Sequence, residues 1–209
     1  MTSERAEGVP RTRGRLSLLL LLAIFAAPVV LAWIVLYVFP DWRPSGTMNE
    51  GQLVEPVRPL PAFRVPLLGD ETIDQTWLRG KWTLIYLLQG PCGDGCVEKL
   101  YHVRQVRLAQ GKNIDRLQRL LLWDSAGVAR ERQNDLQAHF PGQAIAVFQG
   151  DTPAELVEVF TLDGRDPWQD DRVYLVDPLG NLMMSYPPDT APKGMIKDLE
   201  RLLKYSGLG

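Results

Sequence analysis

The chain has 209 residues, 45% of them hydrophobic and 23% charged, with a formal net charge of -2, which suits one globular domain plus an additional segment. A weakly acidic chain with no Lys/Arg-rich run past its start offers no field for a phosphate backbone, so nucleic acid is excluded as a partner. Two cysteines and two scattered histidines fail the spacing of a zinc site and fall short of the cysteines that hold an iron–sulfur cluster.

The additional segment lies at the start. No residue from Leu16 to Phe39 is charged, and about 24 residues rising about 1.5 Å each reach across a bilayer core. One transmembrane helix is expected over residues 16–39. It is expected to stay as an anchor: the apolar run exceeds what a signal peptide needs, and Ala26-Ala27-Pro28 lacks a clean small-x-small cleavage site. Arg5, Arg11, Arg13 and Arg15 precede the run, whereas Asp41, Arg43, Glu50 and Glu55 follow it. Positive residues stay inside, which places residues 1–15 in the cytoplasm and the remainder in a bacterial periplasm or an equivalent space, the anchor crossing the inner membrane once. An oxidising compartment gives two cysteines a reason to be redox-active, metal-binding or bridged.

Residues 40–59 carry Pro40, Pro44, Pro56 and Pro59 with Gly46 and Gly51 and little apolar periodicity, and are expected to form an extended linker. Residues 60–209, about 150 in number, can bury a full core. Trp82 to Leu88 is a continuous apolar run of strand length, as for a strand buried on both faces. A helix is expected over Cys96 to Gln110, a strand over Arg119 to Trp123, a polar surface helix over Val128 to His139 and a strand over Ala144 to Phe148. Asp151-Thr152-Pro153 reads as a helix start, with a capping side chain ahead of the proline and Leu156, Val157 and Phe160 on the apolar face. Val173 to Val176 and Leu182 to Tyr186 are expected to pair as a hairpin across Asp177-Pro178-Leu179-Gly180-Asn181. The last helix shows an apolar stripe of Met195, Ile196, Leu199, Leu202 and Leu203, with Glu200 and Lys204 one turn apart outside it. This order gives an α/β domain, a mixed sheet flanked by helices.

Cys92 and Cys96 follow the Trp82 strand directly, as Cys92-Gly93-Asp94-Gly95-Cys96. A buried strand that ends in a glycine-rich turn and feeds a helix is where a thioredoxin-like fold exposes paired thiols, the helix N-terminus favouring the thiolate. A C-x3-C pair at a helix start is expected to place its Cα atoms near the upper part of the range that a disulfide spans. A structural bridge is the plain alternative, but a loop of three residues constrains the unfolded chain little, so reversible redox chemistry or metal capture is the stronger reading. Cys92, nearer the helix N-terminus, is the expected attacking thiol and Cys96 the resolving one. Asp94 serves equally well as a turn residue or as a modulator of the thiols, and Lys99 is expected to face solvent.

Pro61-Ala-Phe-Arg-Val, then Trp77-Leu-Arg-Gly-Lys-Trp, the strand and C-x3-C resemble the opening of the Sco/SenC family. Leu122-Trp123-Asp124-Ser125, Gln149-Gly150-Asp151-Thr152-Pro153 and Tyr174-Leu175-Val176-Asp177-Pro178-Leu179-Gly180 resemble later pieces in the same order. The resemblance implies a membrane-anchored thioredoxin fold, a role in cytochrome c oxidase assembly with an oxidase subunit or its assembly factors as partner, and copper held by the two cysteines and a histidine. That histidine stands nine residues before the hairpin proline, and counting back from Pro178 gives Gln169. An amide cannot supply the imidazole nitrogen, so Cys92 and Cys96 are left as candidate Cu(I) ligands with no identified third. Val97 also stands where the family has proline. His102 is expected on the helix surface, His139 at a helix end where it meets the dipole, and Met183 and Met184 on opposite faces of one strand. Trp77, Trp82 and Trp123 are expected in the core or at its rim, with Trp168 bordering the thiol site if the family layout holds.

C-x2-C thioredoxins and peroxiredoxins match less well. The former would have a proline just before Val173, where Asp171-Arg172 stands, and the latter a threonine at Gln89. The function expected is thus a thiol–disulfide protein of Sco type. A Cu(I) chaperone and a non-catalytic assembly factor are the alternatives, and no cofactor other than copper is called for.

Overall fold

The computed structural model describes residues 11–38, 49–69 and 71–207, and the chain divides after Met48 into two units. In the first, helix α1 runs over Arg11–Tyr37, and its stretch Arg15–Val35 is long and apolar enough to cross a membrane. Leu16, Leu18 to Leu22, Val29, Val30 and Leu31 are all exposed, with no polar face among them for water, an arrangement suited to lipid. Pro28 sits inside the helix. The expected end of the span at Phe39, like the residues before Arg11 expected in the cytoplasm, lies outside the described residues.

The second unit contains β1 (Gln52–Pro59), β2 (Arg64–Pro66), β3 (Thr72–Asp74), β4 (Trp82–Gln89), α2 (Asp94–Leu108), β5 (Leu117–Asp124), α3 (Arg130–His139), β6 (Ala144–Phe148), α4 (Ala154–Phe160), β7 (Val173–Val176), β8 (Asn181–Tyr186) and α5 (Pro192–Tyr205). Six strands form one mixed sheet in the order β1-β8-β7-β4-β5-β6, and β2 and β3 form a separate pair. β4 runs parallel to β5 and antiparallel to β7, and β5 runs parallel to β6. β4 is therefore central, and seven of its eight residues are buried.

The period of two splits β4 between the two faces of the sheet. Ile85 and Leu87 face a cluster with Leu120, Leu122, Tyr174, Leu156 and Phe160, closed by Phe63, Val65 and Ile73 from the β2–β3 region. Leu84 packs on the other side with Val103, Val106, Met195, Leu199 and Leu203 beneath α2 and α5. Tyr86 and Leu88, on that same side, pack with Cys96, Leu100, Trp123, Leu136 and Phe140 beneath α2 and α3. Met184 is wholly buried and Met183 partly so, but both pack against the same cluster and not on opposite faces as expected, because the register shift in β8 skips Met183.

Several expectations are corrected. Residues 52–59 of the expected 40–59 linker form β1, an edge strand antiparallel to β8, while residues 40–48 lie outside the described residues. Proline is admissible there because an edge strand leaves N–H groups unpaired and the register shifts between Leu53 and Arg58. The second unit thus begins at Asn49 and not at residue 60. Its start is fastened by the buried Asp198, whose Oδ2 accepts from the backbone N–H groups of Glu50 and Gly51, both at 2.9 Å. Asp151 does not cap α4: Pro153 occupies the N-cap without a side-chain bond, and Asp151 accepts from the backbone of Gln149 instead. Lys204 lies over the Tyr205 ring, 5.3 Å from its centroid, and no ion pair with Glu200 forms.

Candidate functional site: the cysteine pair and its groove

β4 delivers the chain to the cysteines and α2 carries it away. The turn between them is anchored from β5: the Trp123 indole N–H donates to the Gly90 carbonyl at 2.7 Å, and the Gly90 N–H donates to the Asp124 carbonyl at 2.8 Å. Gly90 has φ +76°, a left-handed conformation that side chains disfavour. Gly93 is the N-cap of α2 and offers no side-chain acceptor, so the first N–H groups of the helix remain directed at the turn.

Cys92 and Cys96 are joined in a disulfide, with Cα atoms 5.3 Å apart. This is an ordinary bridge separation, not the upper part of the range, because Cys92 precedes the helix and its backbone is free to fold toward Cys96. Cys96, in the first turn of α2, is buried at 7% exposure among Tyr86, Leu100 and Trp123. Cys92 is only half-buried. An incoming sulfur must approach one of the two sulfurs along the S–S bond, and the more open one is Cys92.

Cys92 opens into a groove of about 910 Å³ between α2 and α3. Trp123, Leu136 and Phe140 form its floor, and Val97 and Tyr101 its α2 wall. α2 packs against α5 but not closely against α3, which leaves the groove. Asp94, in the first turn of α2, lies at its Cys92 end.

The loop before β7 approaches α2 from the opposite edge. Asp171 accepts from Tyr86 Oη at 2.7 Å and pairs with Lys99 Nζ at 3.1 Å, and Lys99 also donates to the Pro188 carbonyl. Burial, followed by that bond and the Asp171 charge, pushes the Tyr86 hydroxyl above the ordinary tyrosine range. Lys99 is thus not a solvent-facing residue as expected. The same end of the loop is also held by the next residue, Arg172, whose side chain is 3% exposed, bonds Asp170, and reaches Gln52 at 2.7 Å and Ser185 at 3.1 Å. Asp163 and Asp171 adopt positive φ, so this loop carries backbone strain that its side-chain bonds offset.

Gln169 lies in this loop, exposed, its N–H donating to the Asp166 carbonyl. Trp168 packs with the cluster on the far face of the sheet, and the tryptophan bordering the cysteines is Trp123 instead. His102 lies on α2 beside Tyr101, with Glu98 at 4.0 Å. His139 ends α3 and lines the groove. Among the described residues, no three of His, Cys, Asp and Glu gather as a metal cluster.

This arrangement of strand, paired cysteines and helix has counterparts in solved structures. Apo Sco1 from Thermus thermophilus matches with a TM-score of 0.59 at 18% identity, over 75% of this chain and 99% of that one. Copper-bound ScoI from Bradyrhizobium japonicum matches at 0.52 and 21% identity, over 68% and 97%. BsSco, a member of the Sco family of cytochrome c oxidase assembly proteins in which a disulfide switch was identified, matches at 0.58 and 15% identity, over 74% and 99%. At these identities the shared property is the fold. No curated protein matches the chain. Residues 9–38 match the transmembrane-like N-terminal domain and residues 82–206 the transmembrane-like, thioredoxin-like C-terminal domain, so the chain belongs to this transmembrane-like, thioredoxin-like family.

Proposed function

We propose that the protein is a thiol–disulfide protein of Sco type, anchored in the inner membrane by α1 with its second unit in the periplasm, that assists assembly of cytochrome c oxidase through Cys92 and Cys96. The observation that carries this reading is the asymmetry of the pair at the start of α2: one sulfur open to a groove, the other buried. In the reduced protein the Cys92 thiolate attacks a disulfide of the partner, forming a mixed disulfide and releasing one partner sulfur as thiolate. The Cys96 thiolate then attacks Cys92 Sγ, which frees the second partner thiolate and forms the Cys92–Cys96 bond. The partner gains two electrons, the protein loses two, and another dithiol must reduce the protein again. A partner reduced in this way, such as an oxidase subunit, is left with thiolates able to receive copper.

Copper on the protein itself is the second reading, favoured by the copper-bound relatives. Two thiolates fit Cu(I) in a near-linear arrangement, but the family's imidazole is replaced by Gln169 and the pair must first be reduced. Copper would then be cargo held by Cys92 and Cys96, with any further ligand coming from the recipient.

Trapping distinguishes exchange from mere docking. Cys96→Ser should arrest the mixed disulfide on Cys92 with an oxidase subunit or its assembly factor, released by reductant and identifiable by mass spectrometry. No trapping through either cysteine, with oxidase assembly preserved in the Cys92→Ser, Cys96→Ser double variant, would leave only a non-catalytic assembly role.

A further inference from the structure

We infer that the groove between α2 and α3 receives a partner segment in which the cysteine is followed by an apolar side chain and, four or five residues from the cysteine, an acidic one. This rests on the exchange reading above and specifies what Cys92 meets. One end of the groove is the open sulfur. Its wall carries Val97 and Tyr101, 44% and 50% exposed, above a floor of Trp123, Leu136 and Phe140, a place for an apolar anchor.

The other end carries a cation that has no ion-pair partner among the described residues. Arg104 lines it, with His139. Behind Arg104 stands Arg119 of β5, only 3% exposed. Its Nη2 donates to the Pro141 carbonyl at 3.0 Å, but Nε and Nη1 have no partner. Burial, then the neighbouring Arg107 and Arg104 cations, push its pKa down to about 10, which leaves it charged at neutral pH. Arg107 uses its Nε on the Leu117 carbonyl. None of the three arginines has a carboxylate within ion-pair distance among the described residues. Of the acidic groups of the groove, Asp94 and Glu98 lie on the Cys92 half of α2, and Asp135 lies on α3 one turn from both Arg132 and His139, whose Nδ1 is 2.7 Å from the Asp135 carbonyl oxygen. Arg104 on the groove, with Arg107 and Arg119 behind it adding to the field, attracts a carboxylate from the partner. From Asp94 to Arg104 α2 rises about 15 Å, the reach of four or five extended residues.

The test uses the detergent-solubilised full chain with Cys96→Ser, reduced, and synthetic peptides whose single cysteine is activated as a mixed disulfide with a small aromatic thiol. Cys92 displaces that thiol, whose release is followed by absorbance, and a small activated disulfide without peptide reports intrinsic Cys92 reactivity. A peptide with leucine two residues and aspartate five residues from its cysteine should react faster than its lysine counterpart by about fivefold or more at low salt. Arg104→Glu should reverse that preference and Arg104→Gln abolish it, both leaving the small disulfide's rate unchanged. Equal rates for the two peptides while the small disulfide reacts normally would overturn the groove assignment alone. A Cys92 inert even to the small disulfide would overturn the exchange reading beneath it. Self-association of the chain lost in Arg104→Glu, without peptide discrimination, would make a second copy the occupant and equally overturn the proposal.

Discussion

Lys99 on α2 and Asp171 in the loop before β7 form an ion pair at 3.1 Å, with the lysine side chain only 15% exposed and Tyr86 of β4 bonded to the same carboxylate. Three separate stretches of chain are thereby joined on the edge of the cysteine-bearing helix. Because the Asp171 side chain is about half exposed, solvent screens the pair. A Lys99/Asp171 double-mutant cycle should return a coupling of about 0.5–1 kcal/mol. Tyr86→Phe should lower stability by about 1 kcal/mol through loss of one buried bond. Urea unfolding of each variant checks both figures, and zero coupling would mean that Lys99 adds nothing to the hold of Tyr86 and Arg172 on the loop.

The N-terminal boundary of the folded unit is set by Asp198, which holds the Glu50 and Gly51 amides. A chain beginning at Asn49 is expected to fold cooperatively, since it keeps all six strands of the sheet and both backbone bonds to Asp198. A chain beginning at Leu60 loses β1 and exposes the edge of β8, and should aggregate. Asp198→Ala in the longer chain leaves two amides without an acceptor and should cost about 2–4 kcal/mol. Thermal melts of the three proteins compare these outcomes. Gly51→Ala should also destabilise, because a Cβ there would stand 2.6 Å from Met184 and Tyr186 side-chain atoms.

Much of this unit is legible in the sequence, for identifiable reasons. β4, β6 and β7 are short continuous apolar runs, and α5 has an unbroken stripe, so pattern alone locates them. β1 escapes because Glu55, Pro56, Arg58 and Pro59 look like linker. Its place depends on an edge position and on Arg58, which donates to the Val159 and Thr161 carbonyls of α4 and its C-terminal end. The cysteine pair is legible because strand, glycine turn and helix are contiguous. The groove is not: Arg130-Glu-Arg-Gln-Asn-Asp reads as an ordinary solvated helix face, and only the packing of α3 away from α2 gives it meaning. Lys99 is hidden for the same reason, its partner being remote in sequence.

Topology follows from the charges flanking the apolar segment. A reporter fused after Gly209 should be active as a periplasmic protein and silent as a cytoplasmic one, and the intact chain should sediment with membranes. Moving the arginines of the first fifteen residues to the far flank of the segment should lower the periplasmic signal. A cytoplasmic signal from the native fusion would remove the oxidising compartment and with it the setting for Cys92–Cys96 exchange.

The resemblance implies that Gln169 stands at the ligand-histidine position, so its replacement tests copper handling against dithiol exchange. Gln169 lies two residues before Asp171, whose bond to Lys99 draws this loop toward α2 within one turn of Cys96. The reduced protein is expected to bind Cu(II) weakly and to show little thiolate-to-copper absorption, because two thiolates alone favour Cu(I). Gln169→His should raise Cu(II) affinity by about tenfold or more, the order of effect attached to improving one ligand's position or supply, and should create the absorption without lowering thermal stability. Absorbance titration of both proteins under anaerobic reduction provides the comparison. A native protein that already binds Cu(II) tightly would mean that another side chain completes the site. His139, which shares the groove with Cys92, is then the first residue to replace, followed by His102, Met183 and Met184, and the chaperone reading becomes the better account of Cys92 and Cys96.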